Sequence, residues 1–315
     1  MKILTSFFSL LALFLIFSGF TLPLPVAQPI DHTPAFDWGL SERNCTSSFN
    51  GDVHTYTLNH GYSNVGHSVW ISRKSQRAKA KYFAHKLNGE HVHHRYTMWR
   101  VARDRDVILK SSGAYATSFS NSGLPVGLTI DNGVLVNRKL DSRMNALVIV
   151  YATGGIVVSN IKNGDLYLQS LGGKVDVKNT YDREKFIRWA EEKEATVFQL
   201  HLMAYDNSIN VGRTNSSNRT ARRKLFSLAK SSSGELFHII HYLKKPSYSL
   251  YEATDLVLSY LRGKGMDVIA TVNLDTGGYD ILNTAGAATD CNGNNVWGTT
   301  KNYDAMTNLL TYEYD

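Results

Sequence analysis

Only two stretches of this 315-residue chain have convincing helical periodicity, and long runs of strand-like sequence separate them. Residues 181–195 alternate an apolar face with a charged one, which predicts an amphipathic helix. Ser249 and Glu252 form a capping-box pattern ahead of apolar residues spaced three and four apart, which predicts a second helix that ends at Gly263. Helices this far apart argue against regular strand–helix alternation. The sequence therefore predicts an α+β fold, with a mixed, largely antiparallel sheet packed by two principal helices in a single main domain.

Strand patterns fill most of the remaining chain. The strongest hairpin signal is Asn132-Gly133 between two apolar runs, a pair typical of tight primed turns. Further strand pairs are predicted at residues 53–58 and 67–72, 146–150 and 155–158, and 225–229 and 236–242. The basic stretch 73–81 is predicted to be partly helical, and residues 96–105 are predicted to form a short helix.

The N-terminus has one lysine followed by an apolar run at residues 3–20, which is typical of a secretory signal peptide. Ala27 is a small residue suited to a cleavage site. An uncleaved membrane anchor is the alternative, since the run approaches the roughly 20 residues that span a bilayer. We therefore divide the chain into a signal peptide at 1–27, a strand-rich N-terminal region at 28–95 and a main domain at 96–315. This organisation predicts a secreted or periplasmic protein.

The ionisable residues limit the classes of ligand. Cys45 and Cys291 either pair as one disulfide in an oxidising compartment or remain two buried thiols. His91 and His93 would share a strand face, but no Asp, Glu or Cys stands at a metal-partner spacing, so we predict neither a metal nor a cofactor. The net charge of +7 favours anionic partners. Because the positive residues are scattered, we expect a phosphate-bearing or acidic ligand and no nucleic acid.

Asp275 stands where an apolar run, Val268 to Leu274, ends. A strand in this position would present the carboxylate at its end, and Gly277 and Gly278 would let the backbone turn or approach a ligand closely. An ordinary strand-to-loop turn fits the same residues. The pattern therefore leaves a candidate active-site edge and a simple turn both open.

Asp275 belongs to a series of five short motifs that follow one another between residues 96 and 312. In chain order they are Ser112-Gly113-Ala114-Tyr115, Pro125-Val126-Gly127-Leu128, residues 199–207, Arg223-Lys224-Leu225-Phe226-Ser227 and Asn273-Leu274-Asp275-Thr276-Gly277-Gly278. In content and order this series resembles the phosphodiester glycosidase family, and the last motif is the most specific. The resemblance implies a secreted hydrolase that cleaves the sugar C1–O bond of a phosphodiester-linked glycan, with a phosphorylated or anionic glycan as its partner.

The resemblance also implies roles for individual residues. Asp275 would act as a base toward water or stabilise oxocarbenium charge, and Arg223 would bind two phosphate oxygens. The alternative for Arg223 is a surface position in the basic run 219–224. The substrate-binding positions implied are Ser112, Gly113, Gln199, Thr276, Gly277 and Gly278. Ser112 and Gln199 each also have a purely structural interpretation.

The chain departs from the pattern of the family in two motifs and at the start of the series: Ser112 replaces Asn, Thr276 replaces Gly, and Tyr279 replaces Ser, while Arg223 is followed by Lys224-Leu225 in place of Thr-Ala and Ser227 stands where a glycine is expected. The changes at Thr276 and Tyr279 favour a second hypothesis, a non-catalytic binding module for an anionic glycan on the same fold. A second carboxylate would come from Asp131 or Asp280, and the sequence does not select between them.

Overall fold

The computed structural model describes residues 39–84, 107–116, 124–213, 220–276, 280–284 and 307–315. Strands account for 54% of these residues and helices for 15%. The α+β prediction is therefore wrong, because the described residues form a mostly-β fold built on a large antiparallel sheet, with two α-helices among them. The predicted signal peptide and the predicted helix at 96–105 lie outside the described residues.

The described elements have the following bounds. The α-helices are α1 Thr180–Glu192 and α2 Leu250–Gly263, and two short 3-10 helices span Phe49–Gly51 and Gln169–Leu171. The strands are β1 Leu40–Ser48, β2 Val53–His60, β3 Ser63–Ser72, β4 Ala78–Ala84, β5 Val107–Ser111, β6 Thr129–Asp131, β7 Val134–Asn137, β8 Ala146–Val150, β9 Ile156–Asn160, β10 Asp165–Leu168, β11 Gly173–Asp176, β12 Thr196–Tyr205, β13 Ser208–Ile209, β14 Ala221–Lys230, β15 Leu236–Tyr248, β16 Asp267–Leu274, β17 Leu282–Thr284 and β18 Asn308–Tyr314.

The strands form three sheets. The large sheet has 12 strands with the main order β1-β2-β3-β15-β14-β16-β12-β6-β7, and β12 also pairs with β8 and β13 while β9 extends β8. A second sheet has the order β17-β5-β18-β4, and β10 and β11 form a two-stranded ribbon. All pairings among the described strands are antiparallel, whereas the sequence predicted a mixed sheet.

The two faces of the large sheet are covered by different layers, and β12 shows how. Phe198, Leu200 and Leu202 alternate along β12 and join a core cluster with residues of β4, β5 and β18. On the other face, Val197 packs in a cluster with α1. Met203 packs in a cluster with α2. The fold is therefore layered, with the four-stranded sheet on one side of the large sheet and both helices on the other.

Both helices begin at side-chain caps. The Asn179 side chain accepts hydrogen bonds from the backbone N–H groups of Tyr181 and Asp182 at the start of α1. In α2 the Ser249 hydroxyl accepts from the backbone N–H of Glu252, and the Glu252 carboxylate accepts from that of Ser249. The predicted capping box is therefore confirmed. It satisfies two N–H groups that a helix start otherwise leaves unpaired.

The predicted hairpins are also confirmed. Asn132 and Gly133 have φ values of 48° and 78°, as a type I′ turn between β6 and β7 requires. The strand pairs β2–β3, β8–β9 and β14–β15 occupy the predicted regions. Of these strands, β14 carries Arg223 of the candidate site.

The prediction of a partly helical stretch at 73–81 is wrong. Residues from Ala78 onward form β4, in which Ala78, Ala80 and Tyr82 are buried on one face while Lys79 and Lys81 point outward. Alanine and lysine both favour helices, so local propensity concealed the two-residue alternation. Pairing along the whole of β18 determines the outcome, and the two lysines form ion pairs with acidic residues of the C-terminus.

Two further expectations concern the compartment of the protein. Cys45 is disulfide-bonded, and Cys291 lies outside the described residues. Neither α1 nor α2, the only α-helices in the described ranges, is long and apolar enough to cross a bilayer.

Candidate active site

Ser112, Gly113, Arg223 and Asp275 come together where β5 and β16 end and β14 begins. β16 ends at Leu274, and the backbone N–H of Asp275 donates to the Gly113 carbonyl at 3.0 Å. Ser112, which follows β5, donates its hydroxyl to the Asp275 carbonyl at 2.7 Å. The structure therefore joins the first and last motifs of the series, which are more than 160 residues apart in sequence.

Arg223 lies directly across from Asp275. Lys224 of β14 pairs with Leu274 of β16 in antiparallel register. One step beyond, the Thr276 hydroxyl donates at 3.1 Å to the carbonyl of the residue that precedes Arg223. The register between these two contacts places Arg223 opposite Asp275, and directly opposed side chains of antiparallel strands share a face with Cβ atoms about 5 Å apart.

Tyr115 lies against this pair of charges. Its pKa is raised by burial and then by the Asp275 carboxylate, while the Arg223 guanidinium opposes the increase. The Asn273 amide donates to the Tyr115 hydroxyl, and Asn273 shares a strand face with Asp275 because the two are separated by one residue. The carboxylate, the guanidinium and the phenol therefore belong to one polar group at the end of β16.

His201 extends the polar row onto β12, where it pairs with Asn273. Its ring meets that of Tyr115 edge-on, with centroids 5.4 Å apart. The Nδ1 atom lies 3.1 Å from the Arg143 carbonyl, and because a carbonyl only accepts, Nδ1 carries the proton. Burial lowers the pKa of His201, so the ring is neutral at pH 7 and its Nε2 atom is a hydrogen-bond acceptor.

Burial restricts access to the charged pair. Asp275 is 7% exposed and Arg223 is 9% exposed. Arg223 is consequently a buried residue of β14, and its Nε donates to the Tyr248 carbonyl at 2.9 Å just ahead of α2. This position does not fit a surface arginine in a basic run.

A second polar cluster lies on the opposite face of the same strand ends. The ammonium of Lys224, which is fully buried, donates to the Ser112 hydroxyl at 2.5 Å, to the Ile281 carbonyl at 2.7 Å and to the Asp280 carboxylate at 3.3 Å. The Tyr242 hydroxyl donates to the other Asp280 oxygen at 2.5 Å. Burial lowers the pKa of Lys224, and the carboxylate of Asp280 opposes that effect. Three acceptors surround the three N–H donors of Lys224 and fix the segment that carries Ser112.

The two candidates for a second carboxylate have different surroundings. Asp280 is the partner of the buried Lys224 and has no exposed surface. Asp131 accepts a hydrogen bond from the backbone N–H of Ala84 at 2.7 Å, and burial raises its pKa to about 7. The ring of Tyr82 lies close to Gly113, and burial followed by the Asp131 charge raises the pKa of the Tyr82 hydroxyl. Of these two carboxylates, Asp280 acts with Asp275 on the charge of Lys224, whereas Asp131 lies beside β4.

The remaining predicted positions have structural partners or lie outside the described residues. Gln199 is fully buried, and its amide makes four hydrogen bonds to backbone atoms of Leu128, Asp141 and Met144. A Cβ atom on Gly113 would lie 2.7 Å from the Tyr82 ring, so close packing requires glycine there. The residues outside the described ranges are Gly277, Gly278, Tyr279, His91 and His93.

Sequence reasoning missed the role of Lys224. It was assigned to a basic run, although it alternates with Phe226 and Leu228, which are both buried. In a strand this period of two places Lys224 on the interior face. Within the described ranges no group of three or more His, Cys, Asp or Glu side chains is arranged to hold a metal ion.

Comparison with known proteins does not assign this chain to a family. No family model matches the chain, and no curated protein sequence matches it. The catalytic domain of zebrafish N-acetylglucosamine-1-phosphodiester alpha-N-acetylglucosaminidase, auto-inhibited by its pro-peptide, is 13% identical over 88% of this chain and 82% of that chain, with a TM-score of 0.47. A hypothetical protein from Synechocystis is 10% identical over 88% of this chain and 62% of that chain, with a TM-score of 0.44. These values do not show membership of the phosphodiester glycosidase family.

Proposed function

We propose that this protein is a secreted hydrolase that cleaves the sugar C1–O bond of a phosphodiester-linked glycan. The observation that supports the proposal is the placement of Asp275, just after the end of β16, opposite Arg223, near the start of β14, where both charges act on Tyr115. A carboxylate and a guanidinium on one strand face supply the two charged groups that this reaction needs.

The chemistry assigns one role to each group. Arg223 binds the phosphate through two N–H···O bonds, which also stabilise the charge that develops as the phosphate leaves. Asp275 accepts a proton from water as the water oxygen bonds to C1 and the electrons of the C1–O bond pass to the phosphate. Since the phosphate monoester that departs is a good leaving group, the reaction needs less proton donation than hydrolysis of an ordinary glycoside does. A single carboxylate beside the anomeric carbon is therefore sufficient.

Neighbouring polar groups suit the sugar. The Oδ1 atom of Asn273 is buried and has no hydrogen-bond partner within the described ranges. In the proposed complex this atom accepts from a sugar hydroxyl, because an unpaired buried carbonyl is otherwise costly. Thr276 would border the same space.

Burial favours a second candidate function, a binding module for an anionic glycan. Asp275 and Arg223 are both more than nine-tenths buried. Thr276 donates to a backbone carbonyl where the family pattern has glycine. A site of this kind can retain phosphate binding through Arg223 without admitting the attacking water.

Turnover of an aryl diester of N-acetylglucosamine-1-phosphate, followed as free sugar, tests the proposal. Asp275→Asn keeps the backbone bonds of the residue and should lower kcat by about 10²- to 10⁴-fold. Arg223→Gln removes a charged donor and should raise KM by about tenfold or more. Asp255→Asn on α2 and Arg188→Gln on α1 are matched controls, because both side chains are exposed.

The outcomes separate the two functions. Wild-type turnover that survives in Asp275→Asn would refute the assignment of the base. Absence of turnover, together with binding of the diester that Arg223→Gln abolishes, would support the binding module. Circular dichroism of each variant shows whether a loss reflects unfolding.

A further inference from the structure

A shallow groove of about 680 Å³ lies between the β8–β9 hairpin, the ribbon β10–β11 and α1. It is formed by elements other than the strand ends that carry Asp275. Its floor includes Ile149 of β8, which is fully buried, and its walls include Tyr151, Val157, Tyr167 and Trp189.

The groove gathers exposed apolar surface. Five large hydrophobic side chains are exposed in the described part of the chain, and Tyr151, Val157 and Tyr167 all line this one groove. Tyr167 is 76% exposed. Because single exposed apolar residues are ordinary whereas convergent ones mark contact sites, the clustering points to a ligand.

The groove side chains share one surface. Val157 pairs with Ile149, and Tyr151 follows Ile149 by two residues, so these three side chains share a sheet face. The Cε2 atom of Tyr167 lies 3.5 Å from the position that a Cβ atom on Gly173 would occupy, so the ring lies beside the neighbouring strand. Tyrosine has only two χ angles, so it loses little conformational entropy on binding.

The base of the groove is also fixed by a hydrogen bond. The indole N–H of Trp189, on α1, donates to the Ser170 hydroxyl at 2.8 Å. This bond anchors the indole ring to the 3-10 turn after β10. Ser159 and Gln169 add a hydroxyl and an amide to the lining. These groups both donate and accept hydrogen bonds.

The lining is uncharged. Among the described residues that form the groove there is no Asp, Glu, Lys or Arg, although these four types make up 19% of the chain. Protein–protein interfaces are enriched in arginine as well as aromatic residues, so the composition does not favour a protein partner. A neutral sugar matches it, because its C–H faces pack on aromatic rings and its hydroxyls bind amides and hydroxyls.

We propose that this groove binds a neutral oligosaccharide, with Tyr167 and Tyr151 as stacking surfaces and Gln169 and Ser159 as hydrogen-bonding groups. The inference does not depend on catalysis at Asp275. A protein with this groove can bind a polymeric glycan at a position separate from the strand-end site.

Titration of the full-length mature protein with cellotetraose, chitotetraose and maltotetraose tests the proposal, by calorimetry and by tryptophan fluorescence. At least one of the three should bind and change the fluorescence, and Trp189→Phe should remove that change. Tyr167→Ala should weaken binding by about tenfold. Tyr167→Phe should retain it, because the ring is kept. Tyr181→Ala is the matched control, since Tyr181 is 67% exposed on α1 and is not part of the groove lining.

Several results would overturn the proposal. These are no binding of any of the three sugars at millimolar concentration, binding that Tyr167→Ala leaves unchanged, or an equal loss in Tyr181→Ala. A wild-type dimer in analytical ultracentrifugation that Tyr167→Ala dissociates would instead assign the groove to contact between copies of the chain. Assays on the aryl diester with Tyr167→Ala keep this test separate from that of the strand-end site.

Discussion

Replacement of Lys224 by methionine should be among the most destabilising single changes in the described part of the molecule. Methionine keeps a long unbranched apolar stem of similar length, so the change removes the charge and its donors with little change in packing. The lost contacts are those to Ser112, Ile281 and Asp280, at 2.5, 2.7 and 3.3 Å. Asp280 has no exposed surface and would remain as a buried carboxylate.

The expected cost follows from that remaining charge. Removing one partner of a buried ion pair typically costs about 3–5 kcal/mol, since the other charge is left uncompensated. Asp280 would keep the Tyr242 hydroxyl at 2.5 Å and a partly exposed Arg222 at 3.7 Å. These contacts favour the lower half of the range, so we expect the free energy of unfolding to fall by about 3–4 kcal/mol, against a usual total of about 5–15 kcal/mol.

Urea unfolding at pH 7.5, followed by circular dichroism, measures this loss as a lower midpoint at constant slope. Lys230→Met is the matched control, because Lys230 is exposed at the other end of the same strand and should change stability by less than about 0.5 kcal/mol. The double variant Lys224→Met/Asp280→Asn should be more stable than Lys224→Met alone, since it removes the buried charge. A cost below about 1 kcal/mol for Lys224→Met, or simple additivity in the double variant, would refute the reasoning.

Two further predictions concern stability. Burial lowers the pKa of His238 and of His241 from 6.5 to about 3, so below pH 6.5 the unfolded chain binds protons that the folded chain does not, and stability is lost as the pH falls. At pH 5 the free energy of unfolding should be lower by about 2 kcal/mol for each histidine. The urea midpoint should therefore fall between pH 7.5 and pH 5, and it should fall less in His238→Gln or His241→Gln. An equal fall of the midpoint in the wild type and in these variants would contradict the prediction. Gly113→Ala should destabilise by about 1–3 kcal/mol, because its Cβ atom would lie 2.7 Å from both Asn308 and Tyr82. An unchanged urea midpoint for Gly113→Ala would show that Asn308 and Tyr82 move aside without a loss of stability.

The sequence predicted the local elements where local chemistry determines them. The Ser249–Glu252 capping box and the Asn132-Gly133 turn each follow from hydrogen bonds or dihedral angles within a few residues, and both are present. The prediction for the stretch that forms β4 was wrong because its alanines and lysines favour a helix. Only β18, more than 220 residues later, supplies the strand pairing. The predicted fold class was wrong for a related reason, since the number of strands depends on pairings that no local pattern shows.

The candidate site divides in the same way. The end of a buried strand at Asp275 could be identified from apolar residues followed by glycines. Its contacts with Ser112 and Gly113 could be expected only from the family resemblance, because no local pattern links residues that far apart. Lys224 is intermediate: its alternation with Phe226 indicated an inward position, but the basic residues beside it concealed the signal.

By itself the sequence determined where chain segments become helix, hairpin or strand end, because capping, turn dihedral angles and side-chain period act over a few residues. Tertiary structure alone decided that Arg223 stands opposite Asp275, that the Lys224 ammonium is enclosed by Ser112, Ile281 and Asp280, and that exposed tyrosines converge beside α1. Each of these arrangements depends on strand register across the sheets. Register is set by the burial of apolar faces from segments that are distant in sequence. The free energy that favours one register therefore comes from the packing of the whole fold and not from any one segment.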